Sequence, residues 1–420
     1  MYKFLIIIFV VVFTSSSFAQ DEWKFSGQLQ LRTELDGRDF SHDTHALTFA
    51  SMRTRVGVEK TFMDKVNFFV QIQDSRVFGE ETNTLASIDN IDLHQGYVTL
   101  KELFDWDMDV QAGRFEVVYG TERFFGSVGW HYVGRSWDGV RLKFYPGFKL
   151  DVFALTHTES VPYIGNAVPA LYPLNQTPTP AYSVYGIWES GVIDAQNQLD
   201  LFGYYEVNRQ KITGTDDFVI DRFTIGANHF GKYGNLSTIA EAAYQFGKVG
   251  IIDVSAYLVS LQASYKAENW KLGAGADILS GRDYADNYNV FSPSFGTNHK
   301  FYGFMDYFIN IPQNTSDLGL HDFYLNASFA PNDSKFSASL DLHHFSTDQS
   351  LFITSEFSPD GEEESSLGQE IDLTVKYNFI QGTSLTWGGS AFIPGKIMKA
   401  FFSGRGDVGF WSYLMVTANL

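Results

Sequence analysis

The chain has 420 residues, a formal net charge of −19 at pH 7 and no cysteine. So acidic a balance argues against nucleic-acid binding, and the lack of cysteine excludes disulfides and thiolate metal sites. Aromatic residues make up 16% of the chain and hydrophobic residues 44%, yet the mean hydropathy is only −0.13. Apolar and polar residues are therefore finely mixed along the chain.

The N-terminus has the pattern of a secretory signal peptide. Lys3 supplies a positive charge, residues 4–13 form a short apolar core, and residues 17–19 place small side chains at the cleavage positions. The apolar run is too short to cross a membrane as a helix, and no later run is long enough. We predict a signal peptide over residues 1–19, cleaved after Ala19, followed by one domain over residues 20–420.

From there on, apolar and polar residues alternate with a period of two, which is typical of β-strands with one apolar face. In the first such segment Gln30, Arg32 and Glu34 share one face, whereas Leu29 and Leu31 share the other. About 18 segments are predicted to be strands. In chain order they are residues 23–35, 50–60, 65–75, 92–100, 108–117, 139–144, 149–157, 181–189, 198–208, 221–230, 236–246, 254–265, 269–279, 319–329, 335–345, 369–379, 384–393 and 409–420.

The connections between these segments alternate between short and long. Residues 330–333 and 381–382 are short turns, whereas residues 347–368 form a long acidic connection. A segment with five prolines, residues 162–180, is expected to be extracellular or folded into the barrel. Residues 281–318 are both aromatic and polar, so we expect a plug or gate there.

These features together predict an all-β fold, namely a transmembrane antiparallel up-and-down β-barrel with short periplasmic turns and long extracellular loops. The charged residues of the segments crowd one face, which we expect to point toward water inside the ring. A soluble β-sandwich would show the reverse arrangement, with charge outside and apolar residues in the core. The predicted location is the outer membrane of a Gram-negative cell, where outer-membrane lipids are the surrounding partner.

Residues 113–144 carry four arginines interleaved with carboxylates. The arginines are Arg114, Arg123, Arg135 and Arg141, and the acidic residues among them are Glu116, Glu122 and Asp138. So many charges would be costly in an apolar core, but they remain solvated in a water-filled lumen, where they can select solutes.

Three blocks of the sequence resemble the alginate export family of outer-membrane porins. They are residues 51–57 with Arg53 and Arg55, residues 113–141 with the Gly-Arg-Phe and Gly-Arg-Ser-Trp-Asp-Gly-Val-Arg motifs, and residues 298–308 followed by Gly319-Leu320. The resemblance implies an 18-stranded monomeric barrel whose arginine-lined pore conducts an anionic polyuronate or a related solute. By matching positions it implies roles for Arg53, Arg55, Arg114, Arg135, Asp138 and Arg141.

The candidate pore-lining and solute-binding residues are Arg53, Arg55, Arg114, Glu116, Arg123, Arg135, Asp138, Arg141 and Lys143. A guanidinium can hold a carboxylate through two parallel hydrogen bonds, and the acidic residues are expected to orient neighbouring arginines. The alternative is that these residues brace the wall through salt bridges. Because the chain is acidic overall, either the acidic residues lie in outer loops and leave the lumen basic, or the solute is neutral or cationic.

No metal or other cofactor is expected. His343 and His344 are adjacent and would point to opposite faces of a strand, and the acidic groups at residues 213–221 and 283–287 lack the spacing of a calcium loop. No catalytic array is recognisable among the ten histidines.

We therefore predict a channel for passive export or diffusion of a solute such as an anionic polysaccharide or uronate oligomer. The expected partners are that solute, the outer-membrane lipids and, during biogenesis, the barrel-insertion machinery. The alternatives are a plugged structural or adhesion barrel and an outer-membrane hydrolase.

Overall fold

The computed structural model describes residues 23–420 except residues 82, 84, 87, 159–180, 284–286 and 356–357. The predicted signal peptide and the proline-rich segment 162–180 therefore lie outside the described residues. Within the described part of the chain, no helix is long and apolar enough to span a membrane.

Eighteen strands form one sheet in which each strand pairs antiparallel with its neighbours in sequence. They are β1 Lys24–Gly37, β2 Leu47–Phe62, β3 Val66–Val77, β4 Ile91–Leu100, β5 Met108–Phe115, β6 Trp137–Phe144, β7 Lys149–Thr158, β8 Tyr182–Val192, β9 Asn197–Lys211, β10 Phe218–Tyr233, β11 Leu236–Val249, β12 Ile252–Ala267, β13 Trp270–Leu279, β14 Leu320–Phe329, β15 Phe336–Ser355, β16 Ser358–Ile380, β17 Thr383–Pro394 and β18 Gly409–Asn419. The last strand pairs with the first, from Gln28 opposite Asn419 to Gly37 opposite Phe410, so the sheet closes into a ring. The predicted up-and-down barrel of 18 strands is confirmed.

Alternating burial along each strand identifies the two faces of the ring. In β12 the side chain of Leu261 is 57% exposed, whereas Ser260 is 1% exposed. In β1 the polar residues Gln30, Arg32 and Glu34 are the buried ones. Since exposed apolar side chains face outward and polar side chains face inward, the barrel has the distribution expected for a lipid environment.

Aromatic side chains form a cluster on the outer face of the barrel. Tyr185, Tyr205, Phe223 and Phe246 form a row across β8 to β11, with ring centroids 6.5, 4.5 and 5.3 Å apart from one ring to the next. Outward-facing rings are typical of outer-membrane barrels, and together with the aromatic residues of the lumen they account for the high aromatic content.

One predicted long connection is wrong. Residues 347–368 belong mostly to β15 and β16, which continue as a hairpin up to Ser355 and Ser358. In this extension Ile353 pairs with Glu362 and Leu351 with Glu364. The acidic run therefore lies on a strand, where the ammonium of Lys396 bonds Glu362 at 2.7 Å and also bonds Glu364.

The helical elements are short. They are the 3₁₀ turns Leu103–Asp105 and Asn298–Lys300 and the α-helices α1 Ile311–Asn314 and α2 Lys396–Phe401.

Two long connections fold back into the ring. We call residues 116–136 the first inward loop and the described residues of 280–319, which exclude 284–286, the second inward loop. Phe124 and Phe125 of the first loop are at most 1% exposed. The ring centroid of Phe125 lies 5.1 Å from that of Tyr204 and 5.4 Å from that of Phe153, both on the barrel wall. The lumen is therefore partly filled by aromatic side chains.

The second inward loop packs in the same way. Phe308 lies 4.7 Å from Phe345 of β15, and the Met305 N–H donates to a carboxylate oxygen of Glu370 on β16 at 2.7 Å. Gly303 has φ +80°, and a Cβ there would lie 2.6 Å from a Glu370 oxygen. Glycine is needed here for both the backbone conformation and the close approach.

Arg123 of the first inward loop joins both loops to the wall. Its Nε donates to Glu241 on β11 at 2.8 Å, and Nη1 and Nη2 donate to Asp277 on β13 at 2.9 and 3.1 Å. Nη2 also donates to Ser260 at 2.9 Å, and Nη1 donates to the Tyr302 hydroxyl of the second inward loop at 3.0 Å. Burial opposes the charge, but Asp277 and Glu241 raise the pKa of Arg123 above its ordinary value.

Substituting Leu261 by Arg should destabilise the protein, because a charge would be placed on the lipid-facing side in mid-strand. The expected cost is about 2–4 kcal/mol in the free energy of unfolding, measured by denaturant titration in vesicles. Gln262→Arg, one residue further along and on the inner face, is the matched control and should cost less. Equal losses would mean that the two faces are assigned incorrectly.

Substituting Arg123 by Met should destabilise the protein, since it leaves Glu241 and Asp277 buried without their cation. Removing one partner of a buried ion pair costs about 3–5 kcal/mol. Arg76→Gln, which removes a half-exposed ion pair with Asp74, should cost less, about 1 kcal/mol. A denaturant titration that finds similar losses for both variants would contradict the anchoring role of Arg123.

Candidate functional site

Arg53 and Arg55 lie on the inner face of β2, where they are 4% and 8% exposed. Nε of Arg53 donates to Gln28 at 3.1 Å and its Nη1 to the His131 carbonyl at 2.9 Å. Arg55 bonds Gln73 at 2.6 Å through Nε and the Val133 carbonyl at 3.1 Å through Nη2. Both residues are therefore held between the wall and the first inward loop.

Glu116 starts the first inward loop and accepts hydrogen bonds from two sides. Arg55 Nη1 lies 3.2 Å from its carboxylate, and His94 Nε2 lies 2.7 Å from the same oxygen. Burial opposes ionisation, but the bonds from His94 and Arg55 hold the pKa of Glu116 below its ordinary value. Glu116 thus orients Arg55 of β2, which is not one of the arginines of residues 113–144 that it was expected to orient. Glu122 instead contacts Lys300, at 3.3 Å.

Arg141 and Lys143 share the inner face of β6. Nε and Nη2 of Arg141 donate to Gln111 at 3.1 and 2.6 Å, and its Nη1 lies 3.4 Å from Asp151. Lys143 pairs in register with Asp109 on one side and Asp151 on the other. A cavity of about 530 Å³ borders Arg141 and Asp151 together with Tyr119 and Trp188.

Arg114 and Asp138 are not brought together with these residues. They bond each other through two hydrogen bonds of 2.8 and 2.7 Å, across β5 and β6. Phe115 and Trp137, their immediate neighbours, are buried at 1% and 3% exposure on the inner face. By alternation the Arg114–Asp138 pair lies on the outer face, near the ends of its strands.

Arg123 and Arg135 belong to the first inward loop but differ in their partners. Arg123 uses all three guanidinium nitrogens in bonds to the protein, as described above. Among the described residues, the side chain of Arg135 donates to the carbonyls of Phe295 and Gly296, the latter at 3.2 Å. Burial lowers the pKa of Arg135 to about 10. No carboxylate of the described residues forms an ion pair with it.

Arg135 borders a cavity of about 430 Å³ between the two inward loops. Apolar and polar groups both line it, among them Trp130, His131, Asn298 and Ile309. The cavity therefore combines the buried Arg135 with apolar walls, and the Asp306 carboxylate on its lining is paired with His299. Such a site suits an organic anion.

Several residues near this cavity were not among the sequence candidates. The guanidinium carbon of Arg32 lies 3.9 Å from the centroid of the Trp130 ring. The His299 ring also stacks on Trp130, with 4.3 Å between the ring centroids. His299 in turn bonds Asp306 at 2.6 Å. The period-two pattern had placed Arg32 on the inward face, but no sequence signal indicated that residues 130 and 299 meet.

The structure also brings a serine, a histidine and a glutamate together. His94 bonds Glu116, and Ser136 Oγ lies 3.2 Å from Nδ1 and 3.4 Å from Nε2 of His94. An oxygen almost equidistant from both ring nitrogens is not aligned with the lone pair of either. The arrangement therefore lacks the directed hydrogen bond that activates a nucleophile.

No cluster of three or more His, Asp or Glu residues arranged for a metal ion occurs in the described part of the chain. His343 bonds Asp322 at 2.9 Å, which is an internal pair on the inner wall. Asp286, part of one acidic group considered in the sequence, lies outside the described residues.

Solved structures with the same fold are outer-membrane porins. Pseudomonas aeruginosa OpdL has 12% identity and a TM-score of 0.60, covering 95% of this chain and 99% of its own. Acinetobacter baumannii OccAB4 has 12% identity and a TM-score of 0.59, covering 94% and 98%. Pseudomonas aeruginosa OpdK, solved with vanillate, has 10% identity and a TM-score of 0.55, covering 94% and 98%.

A comparison with curated protein sequences found no match. The family model described as "Alginate export" matches residues 22–403. This match confirms the resemblance found in the three sequence blocks, and the family and fold are those of outer-membrane channels. Since the match extends over nearly the whole chain, the chain belongs to the alginate export family of outer-membrane β-barrel porins.

Proposed function

We propose that this protein is a passive outer-membrane channel for anionic solutes, in which Arg135 and Arg141 contact the solute. The observation that carries the proposal is the guanidinium of Arg135, which is buried beside a cavity and forms no ion pair within the described residues. A desolvated cation without a counter-charge favours the binding of an anion.

The distribution of acidic residues supports an anionic solute despite the net charge. Several carboxylates on the inner wall from β9 to β16 are at most 2% exposed. They are Asp200, Glu206, Glu241, Asp277, Asp322, Glu370 and Asp372. A solute in the two cavities would meet Arg135 and His131 beside Asp306 in one, and Arg141 beside Asp151 and Asp200 in the other.

The size of the cavities favours a short solute, such as a uronate monomer or oligomer, in contact with the protein at any one time. Volumes of about 430 and 530 Å³ fall within the range of small-molecule sites. OpdK was solved with vanillate, which makes a small aromatic carboxylate a useful second probe.

Delivery to the membrane is part of the proposal. We infer that residues 1–19 direct export and are removed, and that the barrel-insertion machinery then assembles a monomer. Sequencing the N-terminus of the membrane-inserted protein should begin at Gln20.

A plugged structural barrel is the second candidate. It is favoured by the aromatic packing of both inward loops, in which Phe125, Phe295, Tyr302 and Phe308 are at most 3% exposed. The two candidates differ in planar bilayers, where the channel should give discrete conductance steps and the plugged barrel none.

Replacing Arg135 and Arg141 by Gln should shift the reversal potential toward cations and weaken block by uronate oligomers. Loss of one charged hydrogen bond of about 1.5 kcal/mol corresponds to about tenfold weaker block. Single-channel recordings in a salt gradient give the reversal potential. Adding uronate oligomers and vanillate in turn gives the strength of block by each.

Arg114→Gln is the matched control, because it removes the same charge from the outer face of the barrel and should leave selectivity unchanged. If the inner variants keep the wild-type reversal potential and block, Arg135 and Arg141 are structural. If block by neutral sugars is as strong as block by uronates, the solute class is wrong.

A further inference from the structure

Four consecutive backbone carbonyls of the first inward loop each accept a hydrogen bond from the barrel wall. Arg32 donates to the Trp130 carbonyl at 2.7 Å and Arg53 to the His131 carbonyl at 2.9 Å. Ser75 Oγ donates to the Tyr132 carbonyl at 2.9 Å, and Arg55 to the Val133 carbonyl at 3.1 Å. An irregular segment has no ladder partners of its own, so these side chains satisfy its carbonyls.

The four donors come from three adjacent strands. Arg32 lies on β1, Arg53 and Arg55 lie on β2, and Ser75 lies on β3 directly opposite Arg53 in the register. All point inward, and the three arginines are 4–8% exposed. The loop segment 130–133 therefore runs across this part of the wall and meets a donor at every residue.

Each arginine is oriented by a second partner on the wall. Arg32 Nε donates to Glu34 at 2.7 Å, Arg53 Nε to Gln28 at 3.1 Å and Arg55 Nε to Gln73 at 2.6 Å. With Nε held by the strand, the Nη groups are directed at the loop. This use of the planar fork requires arginine and is not available to lysine.

The loop segment 130–133 is also connected to the second inward loop, through the side chain of Trp130. Arg32 packs on this ring at 3.9 Å and His299 stacks on it at 4.3 Å. A change in the position of residues 130–133 would therefore also disturb the contact between the two loops that border the cavity of Arg135.

We propose that Arg32, Arg53, Ser75 and Arg55 form a latch that holds residues 130–133 against β1 to β3 and thereby fixes the width of the lumen. They are positioning residues, since their donors are directed at the loop backbone. The latch goes beyond the proposed function, because it concerns what sets the constriction and not which solute passes.

The latch can be tested with a spin label on the loop, because the chain has no cysteine of its own. Val133 is 39% exposed, so Val133→Cys provides a single labelling site on the latched segment. The label should be largely immobile in the otherwise wild-type protein in vesicles. With Arg32→Gln, Arg53→Gln and Arg55→Gln combined, a mobile component should dominate the spectrum.

Bilayer recordings of the same variants supply the second readout. Release of the loop should at least double the open-channel current noise and alter single-channel conductance. Arg76→Gln is the matched control, since Arg76 pairs with Asp74 on the outer face of β3 and does not contact the loop. Label mobility and noise should be unchanged in this variant.

An immobile label and a quiet current in the triple variant, together with lost anion selectivity, would overturn the proposal and make these arginines solute ligands. Should the triple variant fail to insert, Arg53→Lys and Ser75→Ala provide milder tests. Arg53→Lys keeps the positive charge but cannot bond Gln28 and the His131 carbonyl at the same time. If the latch exists, this variant should show increased label mobility and unchanged selectivity. Unchanged mobility in both milder variants would likewise overturn it.

Discussion

The ion pairs of Arg123 with Glu241 and Asp277 are the contact on which the interior of this barrel depends. A closed sheet leaves the inner faces of its strands to be filled by water or by protein, and here two loops fill much of the space. The side chains that meet there carry opposite charges, and at 1–2% exposure each charge needs its partner. Because Arg123 also bonds Tyr302, the pairing fixes both loops and the wall in one arrangement.

This arrangement separates the charges of the lumen. Most inner-wall carboxylates of β9 to β16 are at most 2% exposed, whereas Arg135 and Arg141 border the cavities, each with carboxylates nearby. Net charge describes the whole chain, but a solute responds only to groups that it can approach through a medium of low dielectric constant. A protein with a negative net charge can therefore still place basic side chains where a solute contacts them. Glu241, Asp277 and Glu370 bond residues of the inward loops and hold them in place.

Arg114 and Asp138 show that similarity to a family motif does not by itself predict which face of a strand a residue occupies. Arg114 and Asp138 match positions in the family motifs and were therefore expected in the lumen. Yet Gln111 and Gly113 on one strand, and Gly139 and Arg141 on the other, already place residues 114 and 138 on the opposite face. The pair tolerates this position because its charges neutralise each other and lie near the strand ends, where the penalty for charge falls to about 0–1 kcal/mol. For these two residues, the period-two alternation along the strand predicted the face correctly, whereas the motif match did not.

The sequence by itself determined the strands, their number and the direction of each face, because side chains alternate with a period of two whatever their partners are. It also predicted closure of the sheet, because open edges would leave backbone groups unpaired in lipid. The pairing of β18 with β1 confirms it. Only the tertiary structure decided what the inward arginines bond. Arg53 meets the carbonyl of residue 131 and Arg123 meets residues 241 and 277, and contacts between residues so distant in sequence depend on how the loops fold back. For the same reason, the tertiary structure alone distinguished Arg135, whose charge is unpaired within the described residues, from the arginines whose bonds are used within the protein.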